Sequence, residues 1–450
     1  MNHIRKTIPL LIILCLISNT AIAVSEVTIN DAKKPHGAIL FIVDGFGSSY
    51  YYPEFTPIAL DGTELIKART QNITFGSRIL DIRTPHPVTG IAHSIIVTGF
   101  SQANEETVGF PDATIFDITK RFGYVNLAVM ETGDFVNMRN EQDAILFAEN
   151  NSIENPVISM EAKAAPSGIY ELMYDWKMKI PEYLVNRSGE MRYSAFNKWG
   201  IDAANAIATS MIRNNPSQKF LLIMNVGEVD SGGHNLGDDD YVRLIEDFDR
   251  DIYPLYQTAK ENDIALFLTA DHGMSFAEKD ARRGGHSSDK YSTRLESLRI
   301  PFVIYSPNIE SGIVKGEYGQ EDIAPTLLSV LDLPNDLQYT DGSTINIKKY
   351  ASIFVKSKSE YKISLWTGDQ KVSERQDSEL VFTGLPLKTN YTLKADGEKG
   401  SFEEDLFLDS DKHLDLNRPE PVLNIRMIIA IILISIVNIA GLMIIRRIKK

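Results

Sequence analysis

The sequence has a single cysteine, Cys15, among its 450 residues. Because Cys15 lies in an apolar stretch near the amino terminus, the rest of the chain has no disulfide framework, no cysteine metal ligand and no thiol catalyst. Positive charge is also scarce, with 46 basic residues against 60 acidic ones. When the six basic residues of the two chain ends are set aside, 40 remain, and this acidic balance argues against nucleic-acid polymers as partners.

Long apolar runs occur only at the two ends of the chain. Residues 1–23 combine a basic start, an apolar centre and the small-residue end Ala21-Ile22-Ala23, which predicts a secretory signal peptide. Residues 427–445 contain no charged side chain and are long enough to cross a bilayer as a helix. The basic tail at 446–450 would stay in the cytoplasm. The sequence therefore predicts a single-pass type I protein of the cell membrane, with its body outside the cell.

Between these ends, short β-branched runs alternate with longer helical patterns. This alternation predicts an α/β fold with a mostly parallel sheet flanked by helices. Buried strands are predicted at Gly37–Val43, Tyr124–Met130, Phe220–Val226, Ile264–Thr269 and Ile300–Tyr305. Helices are predicted at Ile201–Arg213 and Glu321–Leu331. The weakly patterned residues 151–195 are interpreted as an inserted cap over the sheet.

After about residue 350 the pattern changes to short strands at regular spacing, with no convincing helix between them. We therefore predict a main domain over 24–349 and a small β-sandwich-like module over 350–420. The stretch LVFTGLPLKTNYTLKAD within the module is similar to the late strands of a fibronectin type III-type sandwich, although the module is shorter than such a domain.

Carboxylates and imidazoles follow several of the predicted strands, at the positions where ligands and catalytic groups lie in open α/β sheets. The six residues are Asp44, Asp230, His234, Asp271, His272 and His286. Each one alone is more often a turn residue, a helix cap or a loop histidine. Together, with a hydroxyl nearby and no thiol, they fit a pair of divalent ions of the zinc or manganese kind. Calcium would favour more carboxylates and fewer imidazoles.

The hydroxyl is that of Thr89, in the stretch PHPVTGIAHSIIVTG at 85–99. The simplest interpretation of Thr89 is a helix cap. Next to a divalent ion, however, a threonine hydroxyl becomes a nucleophile, since metal coordination is one of the few ways to deprotonate it near neutral pH. Both interpretations place Thr89 at a helix amino terminus, where free amides suit a phosphoryl group.

The order of these motifs resembles the alkaline phosphatase superfamily. The motifs are D-G-F at Asp44, T-x-x-x-H at Thr89, D-x-x-x-H at Asp230, D-H-G-M at Asp271 and G-H at His286. The closest similarity is to the type I phosphodiesterase/nucleotide pyrophosphatase branch, whose nucleophile motif T-x-x-x-H-x-x-x-V-T-G and later motif D-x-x-G-H both have matches here. The resemblance covers about residues 37–335.

This resemblance implies two metal sites and a phospho-threonine intermediate. One ion would be bound by Asp230, His234 and His286, and the other by Asp44, Asp271 and His272, with Thr89 as its reactive ligand. Zinc is the first choice for both ions, and manganese is the alternative. His93 is interpreted as a structural residue that packs behind the nucleophile.

Two departures from the family pattern affect the metal count and the substrate site. In classical alkaline phosphatases, a glutamate five positions before the D-x-x-x-H aspartate helps to hold a third, magnesium ion. Asn225 occupies that position here, so no third ion is expected. Many nucleotide pyrophosphatases have a phosphate-binding asparagine about twenty positions after the nucleophile, and Asn104 is the nearest candidate. Asn104 and Gly90, where substrate would approach the backbone, form the predicted substrate-binding set.

The sequence thus predicts an extracellular, membrane-anchored metal phosphohydrolase that acts on small phosphate esters or anhydrides, of the phosphodiesterase or pyrophosphatase kind. Two alternatives use the same site: an alkaline phosphomonoesterase, and a transferase that passes the phospho group to an acceptor other than water. A non-catalytic, metal-stabilised scaffold is disfavoured, because all six ligands and the hydroxyl are present.

Overall fold

The computed structural model of the chain describes residues 25–30, 32–69, 72, 76–131, 136–150 and 152–417. The chain forms two compact units, Asn30–Tyr350 and a second unit that joins Ser25–Ile29 to the chain from Ala351 onward. Three predicted segments lie outside the described residues: the signal peptide at 1–23, the membrane helix at 427–445 and the tail at 446–450. Within the described residues, no helix combines the length and apolar character that crossing a bilayer requires.

The strands are β1 (Ser25–Thr28), β2 (Ala38–Val43), β3 (Ser77–Arg83), β4 (Val125–Met130), β5 (Ala144–Ala148), β6 (Ile158–Ala162), β7 (Phe220–Val226), β8 (Ala265–Ala270), β9 (Ser275–Phe276), β10 (Gly284–Gly285), β11 (Arg299–Tyr305), β12 (Gly312–Gly319), β13 (Ala351–Thr367), β14 (Gln370–Leu385), β15 (Thr389–Gly397), β16 (Gly400–Leu408) and β17 (Lys412–Asp415). The α-helices are α1 (Thr89–Thr98), α2 (Glu105–Val108), α3 (Ile115–Arg121), α4 (Val136–Asn140), α5 (Ile169–Leu184), α6 (Glu190–Asn214), α7 (Glu228–Asn235), α8 (Asp238–Glu261), α9 (Leu295–Leu298) and α10 (Ile323–Val330). Short 3-10 helices occur at Ser48–Tyr50 and Gln320–Asp322.

The first unit is built on one sheet with the strand order β12-β3-β11-β8-β2-β7-β4-β5-β6. The central strands β8, β2, β7, β4 and β5 run parallel to one another. β6 is antiparallel to β5, and β11 is antiparallel to both of its neighbours. Every residue of β2, β7 and β8 is buried, as expected of parallel strands covered on both faces. The fold is therefore a mixed α/β sheet with flanking helices.

The five predicted strands all lie in this sheet, as β2, β4, β7, β8 and β11, and their ends agree to within one residue. β11 does not run parallel to the other four. The chain between β8 and β11 contains only short elements, whereas a parallel return needs a long crossover. The strands β3, β5, β6 and β12 were not predicted, because they are short or partly exposed and their pairing depends on partners far along the chain.

One of the two predicted helices is longer in the structure, and the other is split into two elements. The helix at Ile201–Arg213 is part of α6, which starts at Glu190, and the later helix divides into a 3-10 turn and α10. The prediction of an inserted cap over 151–195 needs correction. β6 pairs with β5, and α5 buries an apolar stripe in the main core, so this segment is an integral part of the first unit.

The second unit is a single six-stranded sheet in the order β1-β14-β13-β15-β16, with β17 also paired to β13. The register between β13 and β14 shifts between Lys356 and Tyr361, and the two halves of β13 then pair with different neighbours. Apolar residues from both halves share one core cluster, which gives the unit a sandwich-like character. The participation of β1 was not predicted, since a four-residue strand lies more than three hundred residues from its partner.

Candidate metal centre

The predicted ligands begin at the carboxyl edge of the parallel strands. In the sheet register the last residue of β2, Val43, is level with the last residues of β7 and β8. The next residue of each strand therefore reaches the same edge, which places Asp44 near Asp271. The backbone amide of Gly45 donates a hydrogen bond to Asp271 Oδ1 over 3.0 Å and holds the two loops together.

The other ligands come from short elements that follow the strands. Helix α7 carries Asp230 and His234 four positions apart, so both side chains lie on one face. His286 directly follows β10, which pairs with β9. The glycine of the D-H-G motif is required by packing, because a Cβ on Gly273 would lie 2.0 Å from the carbonyl oxygen of Glu296.

One group of ligand atoms surrounds Asp230. Its Oδ2 lies 3.4 Å from Nε2 of His234, and its Oδ1 lies 3.5 Å from Nε2 of His286. The two imidazole Nε2 atoms are 3.1 Å apart. Ligand atoms of Asp230, His286 and His272 also lie within 4.8 Å of one another, so His272 reaches this group as well as its own.

The second group consists of Asp44, Asp271 and His272. Nε2 of His272 lies 3.4 Å from Asp44 Oδ1 and 3.3 Å from Asp271 Oδ2. The rings of His272 and His286 stack with their centroids 3.7 Å apart, which connects the two groups. The structure thus brings all six predicted ligands together in two adjoining clusters.

Each ligand imidazole is oriented by a backbone carbonyl at its Nδ1 atom. The distances are 3.2 Å from His234 to the Gly284 oxygen, 3.0 Å from His272 to the Gly273 oxygen and 2.7 Å from His286 to the Pro87 oxygen. A carbonyl oxygen can only accept a hydrogen bond, so Nδ1 carries the proton in all three rings and each Nε2 lone pair points into the site. Metal-binding histidines are usually oriented in this way.

Three carboxylate oxygens of the ligand set have no hydrogen-bond partner in the described part of the chain. Asp44 Oδ1, Asp230 Oδ1 and Asp271 Oδ2 are buried without a hydrogen bond. The lone pairs of His234 and His286 face each other across 3.1 Å. Such closely spaced acceptors repel one another unless a cation lies between them. This donor set of imidazoles and carboxylates therefore fits divalent metal ions.

Burial determines the protonation of these groups. Burial, followed by the charges of Asp271 and Asp230, raises the pKa of Asp44 well above its usual range, and burial also raises the pKa of Asp271. Burial lowers the pKa of His272 and lowers that of His286 to about 4. The imidazoles of His272 and His286 are thus neutral at pH 7 and offer lone pairs, while the buried carboxylates of Asp44 and Asp271 need a cation in order to stay ionised.

The predicted nucleophile Thr89 is the first residue of α1, and its Oγ lies 3.1 Å from Nε2 of His272. Thr89 does not cap this helix. The N-cap is Val88, whose backbone is extended and which makes no side-chain capping bond. The first amides of α1 have no partner within the helix, so they are suited to bind an anion beside the hydroxyl.

His93 lies behind Thr89, as predicted, but with specific polar contacts. Its Nδ1 is 2.9 Å from the carbonyl oxygen of Thr89, and its Nε2 is 3.1 Å from Nδ2 of Asn225. Nδ1 also lies 3.5 Å from Asp271 Oδ2. Burial lowers the pKa of His93, which favours the neutral ring.

The two predicted substrate-binding residues lie close to Thr89 in the chain but differ in their surroundings. A Cβ on Gly90 would meet only Glu105, whose Oε1 would be 3.4 Å away, so the backbone of Gly90 is open to close approach. The side chain of Asn104 caps α2, where its Oδ1 accepts hydrogen bonds from the amide and the hydroxyl of Thr107. This capping role was not predicted, and contact between Asn104 and substrate stays a prediction.

Two buried carboxylates near the centre were missed by the sequence reasoning. Glu131 directly follows β4, and its Oε2 accepts a hydrogen bond from the amide of Gly227. Glu228, the first residue of α7, is also buried, and burial followed by the charge of Asp230 raises its pKa to about 8. The signal that singled out Asp44, an acidic residue at the end of a buried strand, also applies to Glu131.

One family model and several curated proteins match part of the chain. Residues 197–335 match the family model of the metalloenzyme superfamily, a segment that contains five of the six ligands. The 2,3-bisphosphoglycerate-independent phosphoglycerate mutase of Mycoplasma pneumoniae is 30% identical over 141 residues, which is 31% of this chain and 26% of that protein. The chain spans about a quarter of the length of the curated relatives it matches.

Among solved structures, the alkaline phosphatase PafA aligns with a TM-score of 0.48 at 12% identity, covering 70% of this chain and 99% of that one. The phosphonate monoester hydrolase of Silicibacter pomeroyi aligns with a TM-score of 0.44 at 12% identity, covering 82% and 88%. The family match over 197–335, together with the two ligand clusters, supports the similarity to the alkaline phosphatase-like superfamily that the sequence motifs predicted.

Proposed function

We propose that the protein is a two-metal phosphohydrolase of the phosphodiesterase or nucleotide pyrophosphatase kind, which acts through a phospho-threonine at Thr89. The observation that carries this proposal is the position of Thr89 Oγ, 3.1 Å from Nε2 of His272 at the amino terminus of α1. The Thr89 hydroxyl therefore lies next to the metal ligand His272. It also lies next to the first amides of α1, which suit a phosphoryl group.

The proposed metal ions are two, with zinc as the first choice and manganese as the alternative. Asp230, His234 and His286 would hold one ion, Asp44, Asp271 and His272 the other, and His272 lies between the two groups. When bound, such ions lower the pKa of a coordinated hydroxyl and neutralise charge on the phosphoryl group. The protein's part is to present neutral imidazoles and ionised carboxylates in a fixed arrangement.

In the proposed reaction Thr89 Oγ attacks phosphorus as the bond to the leaving oxygen breaks, and the hydroxyl proton ends on the leaving group. Water then attacks the phospho-threonine from the opposite side, which restores the Thr89 hydroxyl and releases the phosphate product. The amides of the first turn of α1 hold the non-bridging oxygens during both steps. Two inversions give net retention of configuration at phosphorus.

The same site suits two alternatives. An alkaline phosphomonoesterase would use the same steps on a substrate with a single ester bond. A phospho-group transferase would pass the group from Thr89 to an acceptor other than water, and the similarity to proteins named as phosphoglycerate mutases favours this candidate as the second choice. In each case the proposed substrates are small phosphate esters or anhydrides, and nucleic-acid polymers are not expected partners.

We also propose that the catalytic unit is extracellular and anchored by the apolar segment 427–445. Support for this placement comes from the sequence alone: the signal-like segment 1–23, the uncharged run near the carboxyl terminus and the basic tail at 446–450. A protease-protection assay on intact cells tests it, since external protease should digest the catalytic unit without permeabilisation.

The central experiment compares bis-p-nitrophenyl phosphate with p-nitrophenyl phosphate on the purified full chain. A diesterase should hydrolyse the diester faster, whereas faster release from the monoester supports the monoesterase. Thr89→Ala should abolish turnover and keep the metal, while Thr89→Ser, which retains a hydroxyl, should keep measurable activity. If the purified protein binds no transition metal, or if Thr89→Ala remains active, the proposed function is wrong.

A further inference from the structure

His93 is a fully buried polar residue to which the proposed reaction gives no role. Only 1% of its surface is exposed, and it lies on the buried part of α1. It is four residues after Thr89, so its ring returns toward the first turn of the helix and reaches the Thr89 carbonyl oxygen at 2.9 Å. On its other side the ring meets Nδ2 of Asn225, in the central strand β7, at 3.1 Å.

The partners of the two ring nitrogens determine the tautomer. The carbonyl of Thr89 can only accept, so Nδ1 of His93 must carry a proton. The amide nitrogen of Asn225 can only donate, so Nε2 of His93 must be the unprotonated acceptor. Two hydrogen bonds of the His93 ring therefore connect Asn225, in the central strand β7, to the backbone carbonyl of Thr89.

We propose that His93 is a positioning residue for Thr89, held in its Nδ1-protonated tautomer by the side-chain amide of Asn225. The backbone of Thr89 is thereby tied to β7, which fixes the direction in which Oγ leaves the first turn of α1. A nucleophile that is displaced by about 1 Å loses on the order of 100-fold in rate, so such a tie has a large effect on turnover.

The identity of residue 225 is central to this inference. Asn225 is itself buried in the central strand β7, with 1% of its surface exposed. A carboxylate at this position could not donate a hydrogen bond to Nε2 of His93. The amide instead makes one uncharged chain of hydrogen bonds through His93 to Thr89.

The kinetic test uses a matched pair of variants in the full chain. Glutamine carries both a donor and an acceptor, so His93→Gln should keep kcat within a few-fold of wild type, while His93→Leu should lower kcat by about 10- to 100-fold. KM and the bound metal should change little in both. Ser94→Ala is the control, because Ser94 Oγ donates to the Gly90 carbonyl in the same turn without reaching β7. If His93→Leu matches Ser94→Ala in kcat, or if His93→Gln is as impaired as His93→Leu, the inference is overturned.

A second test reads the tautomer directly and does not depend on turnover. In the full chain labelled with 15N-histidine, long-range proton–nitrogen NMR should show His93 with a protonated Nδ1 and a bare Nε2, before and after metal is removed. Asn225→Asp should abolish this pattern and lower kcat as His93→Leu does. A protonated Nε2 in the wild-type protein would overturn the inference.

The kinetic test of His93 rests on the proposed function. A failure of the proposed function can be distinguished from a failure of the His93 inference. If wild-type protein hydrolyses neither phosphate ester, the proposed function fails and the NMR experiment alone decides the tautomer. If wild-type protein is active and the tautomer is the opposite one, the role of His93 is wrong and the proposed function stands.

Discussion

Nε2 of His234 lies 3.1 Å from Nε2 of His286, and both rings carry their proton on the opposite nitrogen. Two unprotonated nitrogens at this separation repel each other, and Asp230 presents both of its oxygens to the same place. A cation at the centre of this arrangement removes the repulsion. Four testable predictions follow from this centre and from the surrounding structure.

The first prediction concerns metal content. His234→Ala should lower the bound metal by about one ion per chain and reduce turnover at least 100-fold, because one of the two ions loses a ligand while the other keeps its own set. The side chain of His234 is 38% exposed, so its loss should leave the fold intact. Elemental analysis of the purified variant provides the measurement. His36→Ala, at the amino end of β2 and far from the ligand edge, should retain both ions, and equal metal loss in the two variants would contradict the prediction.

The second prediction concerns thermal stability. Chelation should lower the unfolding temperature of the first unit by several degrees, since a ligand present at 100 times its Kd contributes about 2.7 kcal/mol to the folded state. Without the ions, burial and mutual charge oppose the ionisation of Asp44 and Asp271, so the metal-bound form of the folded protein is favoured. Calorimetry before and after chelation measures the shift. His272→Ala, which removes the ring shared by both groups, should show a much smaller response, and an unchanged unfolding temperature in wild type would argue against bound metal.

The third prediction separates the two glycines next to catalytic side chains. Gly90→Ala should leave the unfolding temperature within about one degree, because the added methyl meets only Glu105 and alanine favours a helix. It should nevertheless lower kcat/KM about tenfold if substrate approaches the backbone here. Gly273→Ala should instead destabilise the protein, since its Cβ would collide with the Glu296 carbonyl. A fully active Gly90→Ala enzyme would remove Gly90 from the substrate site.

The fourth prediction concerns how the free energy of unfolding depends on pH through a buried ion pair outside the metal centre. Lys348 Nζ lies 2.9 Å from Asp332 Oδ1, and the hydroxyl of Tyr350 donates to Asp332 Oδ2 over 2.7 Å. Burial opposes ionisation of Asp332, but the charge and hydrogen bond of Lys348 and the hydrogen bond of Tyr350 outweigh it and lower the pKa of Asp332 below its usual value.

A lowered pKa stabilises the folded state above the unfolded pKa of about 3.9, and this contribution is lost as the pH falls through the folded value. Asp332→Asn should therefore lower the free energy of unfolding at pH 7 by about 1–3 kcal/mol, and the difference from wild type should shrink below about pH 4. Asparagine tolerates the positive φ of 55° at this position. Urea titrations at several pH values measure the effect, Asp409→Asn in an exposed pair is the control, and a difference independent of pH would contradict the assignment.

The parts of the fold that were predictable are those with a strong local signal. β2, β4, β7 and β8 are buried and mostly apolar, and an acidic or histidine residue after such a strand lies at the ligand edge in this topology. The direction of β11 was not predictable from its own residues, because it depends on the lack of a crossover helix before it. The contact between His93 and Asn225 could not be predicted from the sequence either. Asn225 is 132 residues away in the chain, and only the tertiary fold brings its side chain next to His93.

Thr89 and Asn104 illustrate the same difference. Both residue types are common helix caps, and sequence alone assigned the cap to Thr89 and a substrate contact to Asn104. In the structure Asn104 caps α2 with its side chain. The N-cap residue of α1 is Val88, which makes no side-chain capping bond, and Thr89 is the first residue of that helix. Which of two similar residues caps a helix depends on where the backbone turns, and only tertiary packing determines that point.

The pairing of β1 with β14 has a consequence for the order in which the chain folds. The first described residues, Ser25–Thr28, lie parallel to Leu380–Thr383, so one edge of the second unit belongs to the beginning of the chain. During synthesis this strand emerges long before its partner exists, and the whole first unit can fold while it waits. The second unit is therefore completed only when almost all of the chain has been made, and until β14 is available β1 has no strand partner within its own sheet and stays open to pairing with other chains.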